Sequence, residues 1–276
     1  MTRLAYYSDL HLEKSGIDLV LGDSRVVAVV GDVMAPLIGQ RLNNPEDEHE
    51  AVWWLRRNVP EDRPVLFVPG NHDYEGTRVL DALAALRRTA EGSHVHILWN
   101  QALTINGVRY IGSPLWADPT QGRHNPQDVR EAVELQTDLR RARKEDGTPL
   151  DVDWLIAEHR KARAFIDKEL TNHQHMPTVV LTHWAPSLRS QGLQYQQSQV
   201  SGYWSTDCED LVARAHLWIH GHIHDTVDYH VGEDPERGWV TSNPRGSSTF
   251  FNLAQNLAFD PGGRQRDIVG RARIAI

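Results

Sequence analysis

Short apolar runs that end abruptly in polar or glycine residues are the feature that most constrains this chain of 276 residues. They predict five strands, at 3–7, 25–30, 64–68, 178–181 and 216–219. Continuous apolar runs of this length are typical of strands buried on both faces of a sheet. Amphipathic helical patterns lie between several of them, at 46–58, 77–88 and 154–170. Strands that alternate with helices predict an α/β fold.

Composition narrows the function classes. Hydrophobic residues make up 40% of the sequence, so the chain can bury a sizeable core and is not globally disordered. The formal net charge of -8 argues against a protein that binds long nucleic acids through their phosphates. A single cysteine, Cys208, excludes an internal disulfide and a thiolate cluster. Because 15 histidines stand beside that one cysteine, a metal site in this chain would use nitrogen and oxygen ligands.

The sequence shows neither a secretory signal nor a stretch near the roughly 18 apolar residues of a membrane-spanning helix. The apolar run at 4–7 is interrupted at once by Ser8 and Asp9. We therefore expect a cytoplasmic protein without a membrane partner, folded as a single domain over 1–276. No pattern in the sequence determines the oligomeric state.

The segment 113–152 differs from the rest of the chain. Turn-forming residues at 118–126 and 147–149 bracket a highly charged predicted helix at 127–144. Two interpretations stay open. The segment is either a solvated helix between core elements or an insertion that forms a lid or rim over the functional site.

Polar side chains with metal-binding chemistry follow the predicted strands. In chain order they are Asp9, His11, Asp32, Asn71, His72, Asp73, His183, His222 and His224. Residues two apart in an extended segment face the same side, and ligands gather at the carboxyl ends of strands in α/β sheets. Each motif alone is weak, because Asp and Asn also form turns. Their order at successive strand ends indicates one site with carboxylate, amide and imidazole groups.

The chain resembles the calcineurin-like metallophosphoesterase superfamily in an ordered set of motifs: Asp9-x-His11, Gly31-Asp32, Gly70-Asn71-His72-Asp73, His183 and Gly221-His222-x-His224. These motifs span residues 9–224, which is most of the chain. The fold that the resemblance implies is a four-layer α/β/β/α sandwich, in which two mixed β-sheets are flanked by helices.

The resemblance implies a two-metal site. Its ligands divide into a first site, a second site and a bridge: Asp9, His11 and His224; Asn71, His183 and His222; and Asp32. Two divalent cations, two aspartates and a bridging hydroxide sum to about +1, which attracts a phosphate anion. Manganese is the expected metal, and Fe, Zn or Mg would suit the same nitrogen and oxygen ligands.

In the resemblance, His72 is not a ligand but protonates the leaving alkoxide or stabilises the transition state. The alternative is a purely structural histidine. Phosphoprotein phosphatases carry an Asp three residues after the bridging carboxylate, where it orients the catalytic histidine. That position is Ala35 here, which cannot do so. Asp73 is the candidate that would orient His72 instead, or form an ion pair near the site.

Two further residues are weaker candidates for substrate contacts. Arg245, in the sequence Asn-Pro-Arg-Gly, would contact a substrate phosphate or an active-site loop, or stabilise a turn. Trp116 would line the entrance and stack on a nucleobase or an aryl leaving group, or pack in the core or rim.

The predicted function is a phosphodiesterase that acts on a small phosphate ester. A metal-bridging hydroxide attacks phosphorus, and His72 assists the leaving group. One alternative is a phosphomonoesterase that acts on nucleotides or small phosphometabolites. Another is a non-catalytic metal-binding interaction scaffold. The scaffold predicts missing ligands, whereas all seven ligand positions of the resemblance are filled in this sequence.

Overall fold

The structure is a computed structural model that describes residues 2–36, 47–121, 129–130, 133–134, 136–246, 260, 264–268 and 274–275. It contains two six-stranded sheets. The first is formed by β1 (Thr2–Tyr7), β2 (Val26–Val30), β3 (Val65–Val68), β4 (Val95–Ile97), β11 (Arg264–Ile268) and β12 (Ile274–Ala275). Strands β1 to β4 are parallel neighbours, and the antiparallel strand β11 pairs with β1 and carries β12.

The second sheet has the strand order β5-β6-β7-β8-β10-β9. Its strands are β5 (Gln101–Ile105), β6 (Val108–Ser113), β7 (Thr178–Thr182), β8 (Leu217–His220), β9 (Asp228–His230) and β10 (Trp239–Ser242). The β6, β7, β8 and β10 strands run parallel, while β5 and β9 close the two edges in antiparallel pairs. Both sheets are therefore mixed.

Helices and short 3-10 turns connect the strands. The helices are α1 (Glu50–Asn58), α2 (Val79–Ala90), α3 (Thr137–Arg141), α4 (Val152–Asn172), α5 (Leu193–Gln196), α6 (Ser201–Trp204) and α7 (Glu209–Val212). The 3-10 turns are His72–Tyr74, Pro119–Gln121 and Leu188–Ser190. Within the described ranges, every helix is too short or too polar to cross a membrane.

Alternating residues of the strands build the layers. Leu4 and Tyr6 of β1 pack between the two sheets with residues such as Leu181 of β7. The intervening Ala5 and Tyr7 face the opposite side, where they join a cluster that includes the buried residues of α1 and α2. This period of two is the pleat of a strand that is buried on both faces. The predicted four-layer α/β/β/α sandwich of two mixed sheets is confirmed.

The predicted strands and the helices at 46–58, 77–88 and 154–170 lie within a few residues of those observed, where the chain is described. Within the helix predicted at 127–144, the described residues 129–130 and 133–134 are helical, and α3 ends at Arg141. The backbone of Arg143 then bonds to Thr77, just before α2, and to Val79, where α2 begins. Residues 122–128, 131–132 and 135 of that segment lie outside the described residues. Val133 and Leu139 are buried, so the described part of 113–152 packs on the core. Its function as a lid stays a prediction.

Candidate metal centre

The candidate ligands lie where strands of both sheets end, and several have an unusual backbone. Asp9 (φ 52°) and His11 (φ 46°) follow β1, Asp32 (φ 53°) follows β2, and His222 (φ 66°) follows β8. Side chains other than glycine rarely adopt positive φ, and such residues cluster at functional sites. The backbone strain at these four positions is held by neighbouring loops: Asp9 N–H donates to Gly31 O at 3.0 Å, and His11 N–H to Asp32 O at 3.0 Å.

Asp9, His11 and His224 form one group whose ligand atoms lie within 4.8 Å of one another. Nε2 of His224 lies 3.4 Å from both Asp9 Oδ1 and His11 Nε2. The other ring nitrogen of His11, Nδ1, lies 3.0 Å from Oε1 of Glu13. A carboxylate on Nδ1 fixes the tautomer that leaves Nε2 as the ligand atom. This arrangement suits the first metal ion.

Asp32, His183 and His222 form a second group of the same compactness. Nε2 of His183 lies 3.3 Å from Asp32 Oδ2 and 2.9 Å from the side-chain oxygen of Asn71. Its Nδ1 donates to the Val30 carbonyl at 2.9 Å, which again turns Nε2 toward the group. The arrangement brings all the ligands predicted for the second ion to one place.

Asp32 lies between the two groups. Its Oδ2 is 3.3 Å from His183 and 4.0 Å from Nε2 of His11. Its Oδ1 accepts the backbone N–H of His72 at 2.9 Å, which holds the carboxylate in this position. The carboxylate is 2% exposed, so water screens its charge poorly.

The electrostatics of the buried groups fit divalent cations. Burial opposes ionisation of Asp32, but the imidazoles of His183, His72 and His11 together outweigh it and hold the pKa of Asp32 well below its ordinary value. Burial likewise opposes a charged His183, yet the charge of Asp32 raises the pKa of His183 to about 9. These opposite shifts show that the position between the two side chains favours positive charge. Nε2 of His222 is buried without a hydrogen-bond partner, as a nitrogen meant for a metal would be.

Three aromatic rings, of Trp184, Tyr203 and Trp204, form an aromatic wall that packs against the imidazole of His222. The ring of His222 lies 4.6 Å from Trp184, 5.4 Å from Tyr203 and 5.1 Å from Trp204. Trp184 also meets the ring of His183 edge-on at 5.1 Å. Rings packed this closely exclude water, which strengthens every charge interaction in front of them.

Trp116 lies behind this wall and not at the entrance. It is 1% exposed, and its ring lies 4.4 Å from Trp184. Because neighbouring rings cover Trp116, a substrate cannot stack on its side chain. Trp116 therefore supports the site through packing, which was one of its two predicted interpretations.

Arg245 is 5% exposed and holds the loop that carries His11. Its guanidinium donates to the carbonyls of Leu10 at 2.7 Å and Ser15 at 2.8 Å, and to the hydroxyl of Ser15 at 2.6 Å. Because these bonds direct the guanidinium at the loop, the predicted phosphate contact is replaced by its alternative, a contact with a loop of the site.

Asp73, predicted to orient His72 or to form an ion pair near the site, contacts backbone groups of the ligand loops. Its carboxylate accepts backbone N–H groups from Gly70 at 2.8 Å, Asp32 at 2.9 Å, Val33 at 3.1 Å and Met34 at 3.2 Å. These donors tie the loop after β2 to the loop after β3. Burial and the nearby charge of Asp32 raise the pKa of Asp73 to about 7. Through these bonds the residue organises the ligand loops, and its predicted role in orienting His72 stays a prediction.

Glu75 occupies the place that sequence reasoning gave to Asp73. Its Oε1 lies 3.0 Å from Nδ1 of His72. The ring of His72 stands edge-on to His11 at 4.9 Å, beside the first group of ligands. The signal that could have identified Glu75 is its spacing of three residues from His72, since a tight turn places residues i and i+3 on one face.

Comparisons with known proteins agree with this geometry. The family model described as calcineurin-like phosphoesterase matches residues 2–226. The chain is similar in structure to the phosphopantetheinyl hydrolase from Mycobacterium tuberculosis, with a TM-score of 0.62, 18% identity, and coverage of 89% of each chain. At that identity, the similarity shows the fold. No curated protein matches the chain at a significant level.

The family match covers more than half of the chain, and both sheets deliver its ligand positions to one place. The chain belongs to the calcineurin-like phosphoesterase family and is a metal-dependent phosphoester hydrolase.

Proposed function

We propose that this chain is a dinuclear phosphodiesterase that hydrolyses a small phosphate ester. The position of Asp32 carries the proposal. Its carboxylate forms one compact group of ligand atoms with His11 and His72 and another with His183 and His222. A carboxylate that two groups share suits a pair of ions about 3.5–4 Å apart. Manganese is the proposed metal, because nitrogen and oxygen ligands without thiolate suit Mn²⁺, as they also suit Fe, Zn and Mg.

Two divalent ions here would supply Lewis acidity, which activates water and stabilises the charge that develops on phosphate. The chain contributes two buried carboxylates, Asp9 and Asp32, against the roughly +4 of the ions. A positive local charge therefore attracts phosphate, although the chain as a whole carries a net charge of -8. The local charge, and not the net charge, decides which anion binds.

His72 is the proposed general acid. Its side chain is 33% exposed, so it borders both the ligands and the open side of the site. Glu75 takes Nδ1, which makes Nε2 the nitrogen that would hold the proton for the leaving oxygen. Proton transfer by a positioned group contributes about 10²–10⁴-fold to the rate.

The preference for a diester rests on the two different flanks of the ligand cluster. His72 borders the flank of His11, whereas the half-buried ring of Trp204 borders the flank of His222. A phosphodiester carries two organic groups, of which one leaves beside the acid and the other would lie along the aromatic ring. The phosphopantetheinyl hydrolase, which has a similar fold, is named for a group that contains phosphate, and this name supports phosphoester chemistry for this chain.

The test combines metal content with turnover. Protein equilibrated with Mn²⁺ should bind about two ions per chain. It should hydrolyse bis(4-nitrophenyl) phosphate faster than 4-nitrophenyl phosphate. Turnover of the monoester alone would support the phosphomonoesterase instead. If the protein binds two ions but hydrolyses neither compound, the result would support the non-catalytic metal-binding scaffold.

A variant separates acid catalysis from metal binding. His72→Ala should retain both ions and lower kcat for the diester by about 10²–10⁴-fold. Loss of both ions in this variant would contradict the role of His72 as the acid and would make it a metal ligand, because its ring also lies within ligand distance of His11 and Asp32.

A further inference from the structure

The turn that carries His72 also places a carboxylate against it. The backbone N–H of Glu75 donates to the carbonyl of His72 at 3.2 Å, which closes the 3-10 turn. In such a turn, residues three apart lie on one face. Oε1 of Glu75 consequently lies 3.0 Å from Nδ1 of His72, and the Glu75 side chain is 15% exposed. Local backbone geometry, and not a distant element, brings the two side chains together.

A cation from the segment 113–152 holds this carboxylate. Nη1 of Arg141, at the end of α3, lies 3.2 Å from Oε2 of Glu75. The N–H of Arg143 donates to Thr77 O at 2.9 Å, and Val79 N–H donates to Arg143 O at 3.0 Å, so the end of α3 is tied to the chain just after Glu75. The two oxygens of Glu75 thus join the segment 113–152 to the imidazole.

We infer that Glu75 is the positioning residue for His72 and that Arg141 anchors it, an inference that rests on the proposed phosphodiesterase. A carboxylate that accepts Nδ1–H fixes the rotation of the ring and stabilises the imidazolium, which carries a proton on each nitrogen. The Nε2 proton passes to the leaving oxygen, and the neutral ring that remains keeps its proton on Nδ1. The methyl group of Ala35 cannot accept a hydrogen bond, and the carboxylate of Asp73 is engaged by four backbone N–H groups. Glu75 is the acceptor on Nδ1.

Positioning of an acid has a signature that structural support lacks. A poor leaving group needs its proton in the transition state, whereas a good leaving group departs as an anion with little help. Loss of Glu75 should therefore slow esters of phenol much more than esters of 4-nitrophenol. General damage to the fold would slow both equally.

The experiment measures kcat and KM of the Mn²⁺-loaded full chain on methyl phenyl phosphate and methyl 4-nitrophenyl phosphate. For Glu75→Ala we expect kcat to fall by about 30-fold on the phenyl ester and by no more than about threefold on the nitrophenyl ester. KM should stay unchanged on both. Glu75→Gln, which keeps an acceptor on the same stem, should recover most of the loss.

Arg141→Ala should produce the same pattern at a smaller size, with a loss of about threefold on the phenyl ester. Arg140→Ala is the matched control, because Arg140 is an exposed neighbour on the same helix. It should leave both rates unchanged. Equal losses on the two esters for Glu75→Ala, a loss of bound Mn²⁺, or unchanged rates would each overturn the inference.

A second measurement does not depend on turnover. In Zn²⁺-loaded, ¹⁵N-labelled protein at one fixed pH at which the ring is neutral, the ring shifts of His72 should report a proton on Nδ1 in the presence of Glu75 and a mixture of tautomers in Glu75→Ala. The same tautomer in both proteins would overturn the inference. If the unaltered chain hydrolyses neither ester, the phosphodiesterase proposal fails while the tautomer result still decides whether Glu75 orients the ring.

Discussion

The two halves of the metal centre are built in different ways. The polar half, which we define as the loops after β1, β2 and β3, supplies both carboxylates and the amide. Hydrogen bonds hold these loops: the carboxylate of Asp73 accepts four backbone N–H groups, and Glu13 accepts both from His11 and from the N–H of Ala35 at 3.2 Å. The charges of the site lie on loops that are tied together by other polar groups.

The aromatic half, which we define as the loops after β7 and β8 with the aromatic wall, supplies only imidazoles. His183 and His222 lie against Trp184, and Tyr203 and Trp204 complete the contact with His222. Burial and the charge of His183 hold the pKa of His222 well below its ordinary value, so it stays neutral and ready to bind a metal. In the aromatic half, ring packing holds the ligand side chains in position, whereas in the polar half hydrogen bonds hold the ligand loops.

The difference has a physical reason. Carboxylates keep their charge in a buried site only when donors and cations surround them, whereas neutral imidazoles tolerate an apolar wall. The polar half therefore decides whether cations bind, and the aromatic half decides how well water is excluded. Substitutions in the polar half should therefore weaken metal binding, whereas substitutions in the aromatic half should admit water.

The largest expected effect breaks the polar half at its centre. Asp32→Asn keeps an oxygen that can accept the N–H of His72 but removes the charge that lies between His11 of the first ligand group and His183 of the second. Affinity for both ions should fall by at least about 100-fold, and turnover should fall with it. Elemental analysis after dialysis against Mn²⁺ measures the effect.

Asp9→Asn is the matched comparison, because Asp9 belongs to one ligand group only. That variant should lose one ion and retain the other. Equal loss of a single ion in Asp9→Asn and Asp32→Asn would contradict the assignment of Asp32 as the shared ligand.

Much of the polar half could be predicted from the sequence, because its ligands directly follow continuous apolar strands. Asp9, Asp32 and Asn71 each lie two or three residues after the end of a strand, and the apolar pattern predicts where those strands end. The contact between Glu75 and His72 could not be read in this way, since it depends on a 3-10 turn of three residues. The segment 113–152 gave no sign that Arg141 would reach that turn.

The second sheet was less predictable than the first. Its strands β5, β6, β9 and β10 were not among the predictions, although Asn106 and Gly107, both at positive φ, join β5 to β6 and are a strong hairpin signal. Burial also reversed one expectation from residue type. Trp116 stands beside a loop in sequence, yet packing among other rings places it behind the aromatic wall.

A second prediction tests the contact between the two halves. Gly31 has a φ of 91°, and a Cβ added to it would lie 2.0 Å from Nδ1 of His183. Because His183 is fully buried and bonded to the Val30 carbonyl, the imidazole would have to leave its position. Gly31→Ala should lower the free energy of unfolding by about 3–4 kcal/mol, as overpacking adds to backbone strain.

Gly147→Ala is the control for that prediction. Gly147 has a similar φ of 85°, and an added Cβ would have no atom within 4 Å. It should lose about 1–2 kcal/mol from backbone strain alone. Urea denaturation of both variants measures the difference, and equal losses would show that His183 yields without cost.

The smallest expected effect concerns the support of the polar half by His49, which is 1% exposed. Its Nδ1 accepts the N–H of Ala51 at the start of α1, and its Nε2 donates to the carbonyl of Asp73 at 2.9 Å. Burial outweighs the bond to Asp73 and lowers the pKa of His49 to about 4 from its ordinary 6.5. The unfolded chain therefore binds a proton between these values that the folded chain does not.

The contribution of His49 to the free energy of unfolding is therefore complete above pH 6.5 and is lost progressively as the pH falls toward 4. Between pH 7 and pH 5 the free energy of unfolding should fall by about 2 kcal/mol on this account. His49→Asn keeps an N-cap acceptor and cannot titrate, so it should lose about 1 kcal/mol at pH 7 and show a flatter pH dependence. Urea denaturation in EDTA, where metal release does not contribute, measures both. His175→Asn, at an exposed position, should leave the pH dependence unchanged. An unchanged slope in His49→Asn would mean that the buried imidazole accepts a proton without disturbing the polar half.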